Sequence, residues 1–140
     1  MSASLVNAPA TATATAIAFT DPDLHRWLNE AGDADLDLLD FGTIGIDAAG
    51  VVCRYNRFES AAAGLSPQRV LGHLLFTVVA PCMNNFLVAQ RFEDAQASGG
   101  SLDATIDYVL TLRMRPVKVK LRLLATASAS VRWVLVHRPV

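Results

Sequence analysis

The sequence predicts one α+β domain built around a single antiparallel β-sheet. Its length of 140 residues suits a single hydrophobic core. Two β-rich runs flank the turn Asp47–Gly50, and three alternating segments follow a helix-forming stretch near the carboxyl end. Because short connections can join only antiparallel neighbours, these five strands are expected to pair in one sheet.

The first 20 residues are predicted to be a flexible arm. They carry no charge and include an Ala-Thr alternation from Ala10 to Ala16. Such small side chains bury too little apolar area to offset the entropy lost on ordering. The expected organisation is therefore an arm over residues 1–20, amino-terminal cap helices over residues 21–40, and the main domain over residues 41–140.

A short amphipathic helix is predicted at the start of the cap region. Thr20 or Asp21 would cap it, and Pro22 suits its first turn. Its expected apolar face consists of Leu24, Trp27 and Leu28. A second, shorter helical turn is predicted from Asp35 to Leu39.

A β-hairpin is predicted next, from Phe41–Ile46 and Val51–Tyr55. Since side chains alternate between the two faces of a strand, Val51, Cys53 and Tyr55 are expected on the same face. On this interpretation Cys53 is a small core residue.

Two further helices and three strands complete the prediction. A short helix is expected to begin at Ser66–Pro67 and to stop at Gly72. A connecting helix is expected over Phe86–Ala97, ended by Gly99-Gly100. The predicted strands are Ile106–Met114, Val117–Leu123 and Val131–His137. In the second of them Lys118, Lys120 and Arg122 alternate with apolar residues, which predicts one face in water.

The charge is small but unevenly distributed. A net charge of −1 gives no general reason to expect a nucleic acid or membrane partner. No acidic residue follows Asp107, whereas seven basic ones do: Arg113, Arg115, Lys118, Lys120, Arg122, Arg132 and Arg138. These residues are interpreted as a solvated strand face or as a basic patch for an acidic partner.

The sequence indicates a reducing, cytoplasmic setting. Cys53 and Cys82 are too few for a disulfide framework, and no apolar run of about 18 residues is present. His25, His73 and His137 lack metal-ligand spacing. There is no phosphate-binding loop or nucleophile elbow, so neither a metal site nor an enzyme is expected.

The candidate site combines a thiol with a phenol and a carboxyl group. Cys82 closes the run Val79-Ala80-Pro81-Cys82, and Tyr55 and Glu59 lie four residues apart. The thiol could hold a small molecule covalently while the other two groups bind its far end through hydrogen bonds. This favours a bound chromophore or ligand. A thiol redox sensor at Cys82, or a buried structural cysteine, remains an alternative.

These residues resemble those of a PAS domain and, within that superfamily, of the photoactive yellow protein family. The resemblance covers about Leu36 to Arg138. It is carried by the order and spacing of Phe41-Gly42-Thr43-Ile44, Tyr55-Asn56 with Glu59, Val79-Ala80-Pro81-Cys82, Met114 with Pro116, Lys118-Val119-Lys120 and Trp133-Val134.

The resemblance implies a PAS fold, with a central five-stranded antiparallel sheet, short helices on one side and a connecting helix. It implies a blue-light photoreceptor with p-coumaric acid in thioester linkage to Cys82 and with Tyr55 and Glu59 hydrogen-bonded to the phenolate. Trans-to-cis isomerisation and proton transfer from Glu59 would then produce a partly unfolded signalling state. The implied pocket lining is Ile44, Ala63, Leu65, Leu75, Val79, Ala80, Pro81, Leu110, Leu112 and Met114.

The environment of the carboxyl group matters for this mechanism. In an apolar pocket Glu59 is expected to be neutral, because desolvation penalises the ion. Four positions depart from the family pattern: Ala63 replaces a threonine that supports the tyrosine, Leu65 replaces an arginine that covers the pocket, and Leu110 and Leu112 stand where aromatic residues usually line it. An alternative is therefore a PAS module without chromophore that binds a partner or small metabolite. The expected partner is an unidentified downstream signalling protein, and the expected oligomeric state is a monomer or weak dimer.

Overall fold

The computed structural model describes residues 17–111 and 116–138. Its centre is a five-stranded sheet in which neighbouring strands are antiparallel, in the order β2-β1-β5-β4-β3. The strands are β1 (Gly42–Ile46), β2 (Val52–Tyr55), β3 (Leu102–Leu110), β4 (Val117–Ala125) and β5 (Arg132–His137). This architecture confirms the predicted fold class. Strand β3 begins before the predicted Ile106, because its alternation of partly buried and exposed residues extends back to Leu102.

Within residues 17–111 and 116–138, five α-helices lie before and between these strands. They are α1 (Leu24–Glu30), α2 (Asp33–Leu36), α3 (Arg57–Ala63), α4 (Pro67–Val70) and α5 (Ala89–Ser98). A π-helical turn over Leu75–Val79 and a 3₁₀ turn over Pro81–Met83 connect α4 to α5.

The connecting helix α5 begins later than predicted. The side-chain oxygen of Asn85 accepts hydrogen bonds from the N–H groups of Leu87 and Val88, which turns the chain before the helix starts. Phe86 therefore lies outside the helix, and it is 76% exposed. The predicted end is confirmed, because Gly99 adopts a left-handed conformation with a φ of 68° directly after the helix.

The β1–β2 hairpin contains an irregularity that moves Cys53 out of the core. Gly45 pairs with Arg54, but Ile46 pairs with Val52, so Cys53 is an extra residue in β2. Val52 and Tyr55 are three residues apart, a spacing that places side chains on opposite faces of a regular strand. Here both face the core, while Cys53 is exposed. The prediction that Val51, Cys53 and Tyr55 share an inward face was wrong for this reason.

The sheet has an apolar core on each face. Side chains of β5 alternate between the two: Val134 and Val136 belong to one, and Trp133 and Leu135 to the other. The core that contains Val134 and Val136 is called the inner core, and it also contains residues from the segments between α3 and α5. The core on the opposite face is called the cap core. It contains Phe41, Leu124 and the amino-terminal residues Phe19, Leu24, Leu28, Leu36 and Leu39.

The end of the predicted arm takes part in the cap core. Residues 1–16 lie outside the described residues, but Phe19 is 7% exposed and its ring meets that of Phe41 edge-on at 5.5 Å. Leu24 and Leu28 are fully buried, which confirms the predicted apolar face of α1.

The predicted wet face of β4 is only partly in water. Lys118 and Lys120 are exposed, but Arg122 is 5% exposed. Its guanidinium donates hydrogen bonds to both carboxylate oxygens of Asp103, each at 3.0 Å. It also donates to the backbone carbonyls of Phe19 at 2.8 Å and Asp21 at 2.7 Å. The strand-face interpretation was therefore wrong for Arg122, because the amino-terminal segment covers it.

Candidate functional site

Glu59 is placed in the interior by the first turn of α3. Asn56 caps this helix, and its side-chain oxygen accepts hydrogen bonds from the N–H of Glu59 at 3.1 Å and of Thr43 at 3.0 Å. The Asn56 amide donates to the carbonyls of Leu36 and Phe41. The helix is thus tied to β1 and to the cap region, and Glu59 is only 2% exposed.

A glycine makes room for this carboxyl group. A Cβ added to Gly42 would lie 1.9 Å from Oε1 of Glu59. No side chain can occupy that space while Glu59 keeps its position. The requirement for glycine at position 42 comes from this close approach.

The carboxyl group of Glu59 is paired with Arg138. Nη1 of Arg138 lies 2.6 Å from Oε1 and Nη2 lies 3.0 Å from Oε2, a two-point ion pair with both side chains largely buried. Val136 pairs with Gly42, so Arg138, two residues further on, reaches the same face of the sheet. This arrangement differs from the apolar surroundings expected for Glu59. The contact of Arg138 with Glu59 was not predicted from the sequence, although the alternation of Val134, Val136 and Arg138 indicates the face it shares.

Tyr55 lies beside this pair. It is opposite Ile44 in the hairpin and packs against the inner core. Burial and the negative charge of Glu59 raise the pKa of the Tyr55 hydroxyl, and the positive charge of Arg138 opposes the rise only in part. Tyr55 therefore presents a neutral hydroxyl group that can donate.

Cys82 lies in the 3₁₀ turn with a free, partly buried thiol. Its backbone carbonyl accepts a hydrogen bond of 2.5 Å from the Tyr108 hydroxyl and one of 3.3 Å from the Asn85 amide. Asn85 also donates to the Tyr108 oxygen at 2.6 Å. These two side chains hold the main chain at the thiol. Their role was not predicted, because the partners Cys82 and Tyr108 are distant in sequence.

Most of the other expected pocket residues collect around the same core. Four are buried members of the inner core, namely Ile44, Leu75, Ala80 and Leu110. Leu65 and Val79 pack against it, as do Tyr55 and Cys82. Ala63 is buried, whereas Pro81 is exposed. Leu112 and Met114 lie outside the described residues.

Two other kinds of site were sought in the described part of the chain. Across residues 17–111 and 116–138, no three His, Cys, Asp or Glu side chains come together as metal ligands would. The helices of these residues are all too short or too polar to cross a membrane.

The fold defines the class of protein. The chain is similar to the PAS domain of the RpfR quorum-sensing receptor from Cronobacter turicensis, with a TM-score of 0.56 and 17% identity over 72% of this chain and 95% of that one. It is also similar to the photoactive yellow protein domain of the sensor histidine kinase Ppr from Rhodospirillum centenum, with a TM-score of 0.71 and 41% identity over 77% of this chain and 94% of that one. The protein contains a PAS domain.

The sequence comparisons identify the family. No family model matches the chain. Photoactive yellow protein from Rhodothalassium salexigens is 34% identical over 122 residues, which cover 87% of this chain and 97% of the relative. The protein of the same name from Halochromatium salexigens is 34% identical over 120 residues, covering 86% and 95% respectively. The chain belongs to the photoactive yellow protein family.

Proposed function

We propose that the protein is a blue-light photoreceptor that carries p-coumaric acid in thioester linkage to Cys82. The observation that supports this most directly is that Cys82 and Tyr55 pack against the same apolar core, with Glu59 buried beside Tyr55. Membership of the photoactive yellow protein family supports the same function. The protein would act by changing conformation, without chemical turnover.

The residues around this core fit an aromatic acid attached to the thiol. Cys82 would hold the acyl end, and the hydrogen bonds from Tyr108 and Asn85 would fix the attachment point. The apolar side chains of Leu75 and Leu110 would exclude water from the ring. Tyr55 would donate a hydrogen bond to the phenolic oxygen. When bound, the pigment supplies a double bond that blue light converts from trans to cis.

Glu59 would be the proton donor of the site. To donate to a phenolate, one of its carboxyl oxygens must carry a proton. Once that proton has left, a carboxylate remains in the interior, where an uncompensated charge costs several kcal/mol. Since a small domain is stable by only about 5–15 kcal/mol, this charge is large enough to loosen local structure. The loosened form would be the signalling state.

A PAS module without pigment is the second candidate function. In its favour, Arg138 already occupies both oxygens of Glu59, and Leu65 stands where the family pattern has a covering arginine. Such a module would bind a partner or small metabolite through the same core.

Pigment loading separates the two candidates. Purified protein would be mixed with an activated ester of p-coumaric acid, and its visible spectrum and intact mass recorded. The first function predicts a visible band and the mass of one coumaroyl group on Cys82. The Cys82→Ser variant should remain colourless. The matched control is Cys53→Ser, which removes an exposed thiol outside the core and should load like the wild type. A wild type that gains neither band nor mass would contradict the photoreceptor proposal.

The signal would pass to a downstream signalling protein. A related domain is part of a sensor histidine kinase in Rhodospirillum centenum. We extend to this chain only the general role, a light-driven change read by another protein or domain, in a cytoplasmic setting.

A further inference from the structure

Arg138 occupies a position that changes how Glu59 can act. The two-point pair between them uses both carboxylate oxygens, at 2.6 and 3.0 Å. An ionised carboxylate only accepts hydrogen bonds, so Glu59 in this arrangement has no proton to give. The proposed role of Glu59 as a donor therefore requires that the pair first be broken.

The position of Arg138 allows it to leave Glu59 and to pair with it again. It follows the last residue of β5, and within the described residues its guanidinium contacts no carboxylate other than Glu59. It also retains 16% exposure, whereas Glu59 has 2%. An arginine at the surface end of a strand can turn its charged head into water at small cost. The buried carboxyl group has no such option and must be either protonated or paired.

We infer, on the basis of the proposed function, that Arg138 sets the charge of Glu59. It would hold the carboxylate before pigment attachment, leave it when Glu59 is protonated in the resting pigmented protein, and return after Glu59 has released its proton. In that last state the proton moves from a Glu59 oxygen to the phenolate oxygen, and Arg138 pairs with the carboxylate left behind.

Two consequences follow for the signalling state. The carboxylate formed there loosens local structure while it is unpaired; once Arg138 has returned to it, the loosened state is more stable than one with an unpaired buried charge. Thermal return requires Glu59 to regain its proton, which breaks the pair again. Arg138 therefore prolongs the signalling state.

The first test needs no pigment. Infrared spectra of the unloaded protein at neutral pH would be compared between wild type and Arg138→Gln. The wild type should lack a protonated Glu59 band. The variant should show a carboxylic C=O stretch that disappears when Glu59→Gln is added. The matched control is Arg57→Gln, which removes an exposed arginine two residues before Glu59 and should resemble the wild type.

Two infrared results would contradict the inference that Arg138 sets the charge of Glu59. A protonated Glu59 band in the wild type, or its absence in a folded Arg138→Gln variant, would overturn it. If Arg138→Gln does not fold, Arg138→Lys keeps the charge but loses the two-point geometry. The protonated Glu59 band should then be larger than in the wild type at neutral pH, and identical spectra would count against the inference.

The second test uses the pigmented protein. Dark recovery after a blue flash should be faster by about tenfold or more in Arg138→Gln, which corresponds to about 1.4 kcal/mol. Arg57→Gln should recover at the wild-type rate, and equal rates in all three would contradict a role for Arg138 in the signalling state. If pigment never attaches, the proposed function fails, while the infrared test still shows whether Arg138 sets the charge of Glu59.

Discussion

Each face of the sheet contains an arginine paired with a carboxylate, but the more buried partner is the arginine on one face and the carboxylate on the other. On the cap side Arg122 is the buried partner, with 6% side-chain exposure, and Asp103 is 56% exposed. On the inner side Glu59 is the more buried partner, at 2%, and Arg138 has 16% exposure. The group that cannot reach water is thus a cation on one face and a titratable acid on the other.

Because of this difference, Arg122 serves as a fixed anchor for the amino-terminal segment, whereas the Glu59–Arg138 pair is suited to a change of charge. Arg122 also donates to the carbonyls of Phe19 and Asp21, so it ties the amino-terminal segment to the sheet. An arginine cannot lose its proton in a protein, so this contact does not depend on protonation of Arg122. Glu59 is an acid that a proton can neutralise, and we infer that Arg138 leaves it when it is protonated. Only the inner pair is suited to a change of state.

The largest expected effect comes from removing the anchor. Arg122→Met should lower the free energy of unfolding by about 3 kcal/mol, because two buried backbone carbonyls and a charged pair lose their hydrogen bonds. Urea unfolding at neutral pH measures this loss. Lys120→Met on the same strand is the control: its pair with Asp107 at 2.7 Å is exposed, so the loss should stay below about 0.5 kcal/mol. Equal losses in the two variants would mean that Arg122 anchors nothing.

A smaller effect is expected on the inner face from Gly42→Ala. The new methyl group would collide with Oε1 of Glu59, so the free energy of unfolding should fall by about 2 kcal/mol, as for other overpacked sites. Chemical denaturation would measure it. In a Glu59→Ala background the same change should cost much less, because the colliding atoms are gone. A loss that is equal in both backgrounds would show that the glycine does not make room for Glu59.

The smallest effect is a pH dependence on the cap side. Burial lowers the pKa of His25; nearby Asp103 raises it and Arg122 lowers it, and Nε2 is buried without a hydrogen-bond partner among the described residues. The unfolded chain then binds a proton more readily than the folded one, so stability should fall as the pH drops below about 6.5. Melting temperatures of wild type and His25→Gln between pH 5 and 8 would test this. The variant should lose part of the acid-side decrease, and parallel curves would contradict the prediction.

Local sequence patterns predicted the parts of the fold that depend on near neighbours. The turn after β1 is an example, because the Asp47 carboxylate accepts hydrogen bonds from the N–H groups of Ala49 and Val51. The start of α4 at Pro67 and the end of α5 before Gly99 were also predicted. The exposure of Cys53 was not, because the irregularity that causes it depends on how β2 pairs with β1.

The candidate site was predicted in its residue types but not in the partner of Glu59. The matching order of Tyr55, Glu59 and Cys82 identified the family, and the comparisons confirm that assignment. The specific roles of these residues remain proposals. Arg138 was missed because its contact with Glu59 joins residues 79 positions apart.

The elements, their approximate ends and the family thus follow from local patterns in the chain, since these depend on turn chemistry, periodicity and shared motifs. Which charged groups are buried, and with which partner, follows from contacts between distant segments. Burial of a charge is permitted where another part of the chain supplies an opposite charge or hydrogen bonds. The carbonyls of Phe19 and Asp21 reach Arg122 from the amino-terminal segment, and Arg138 reaches Glu59 from the end of β5, so only folding brings these groups together.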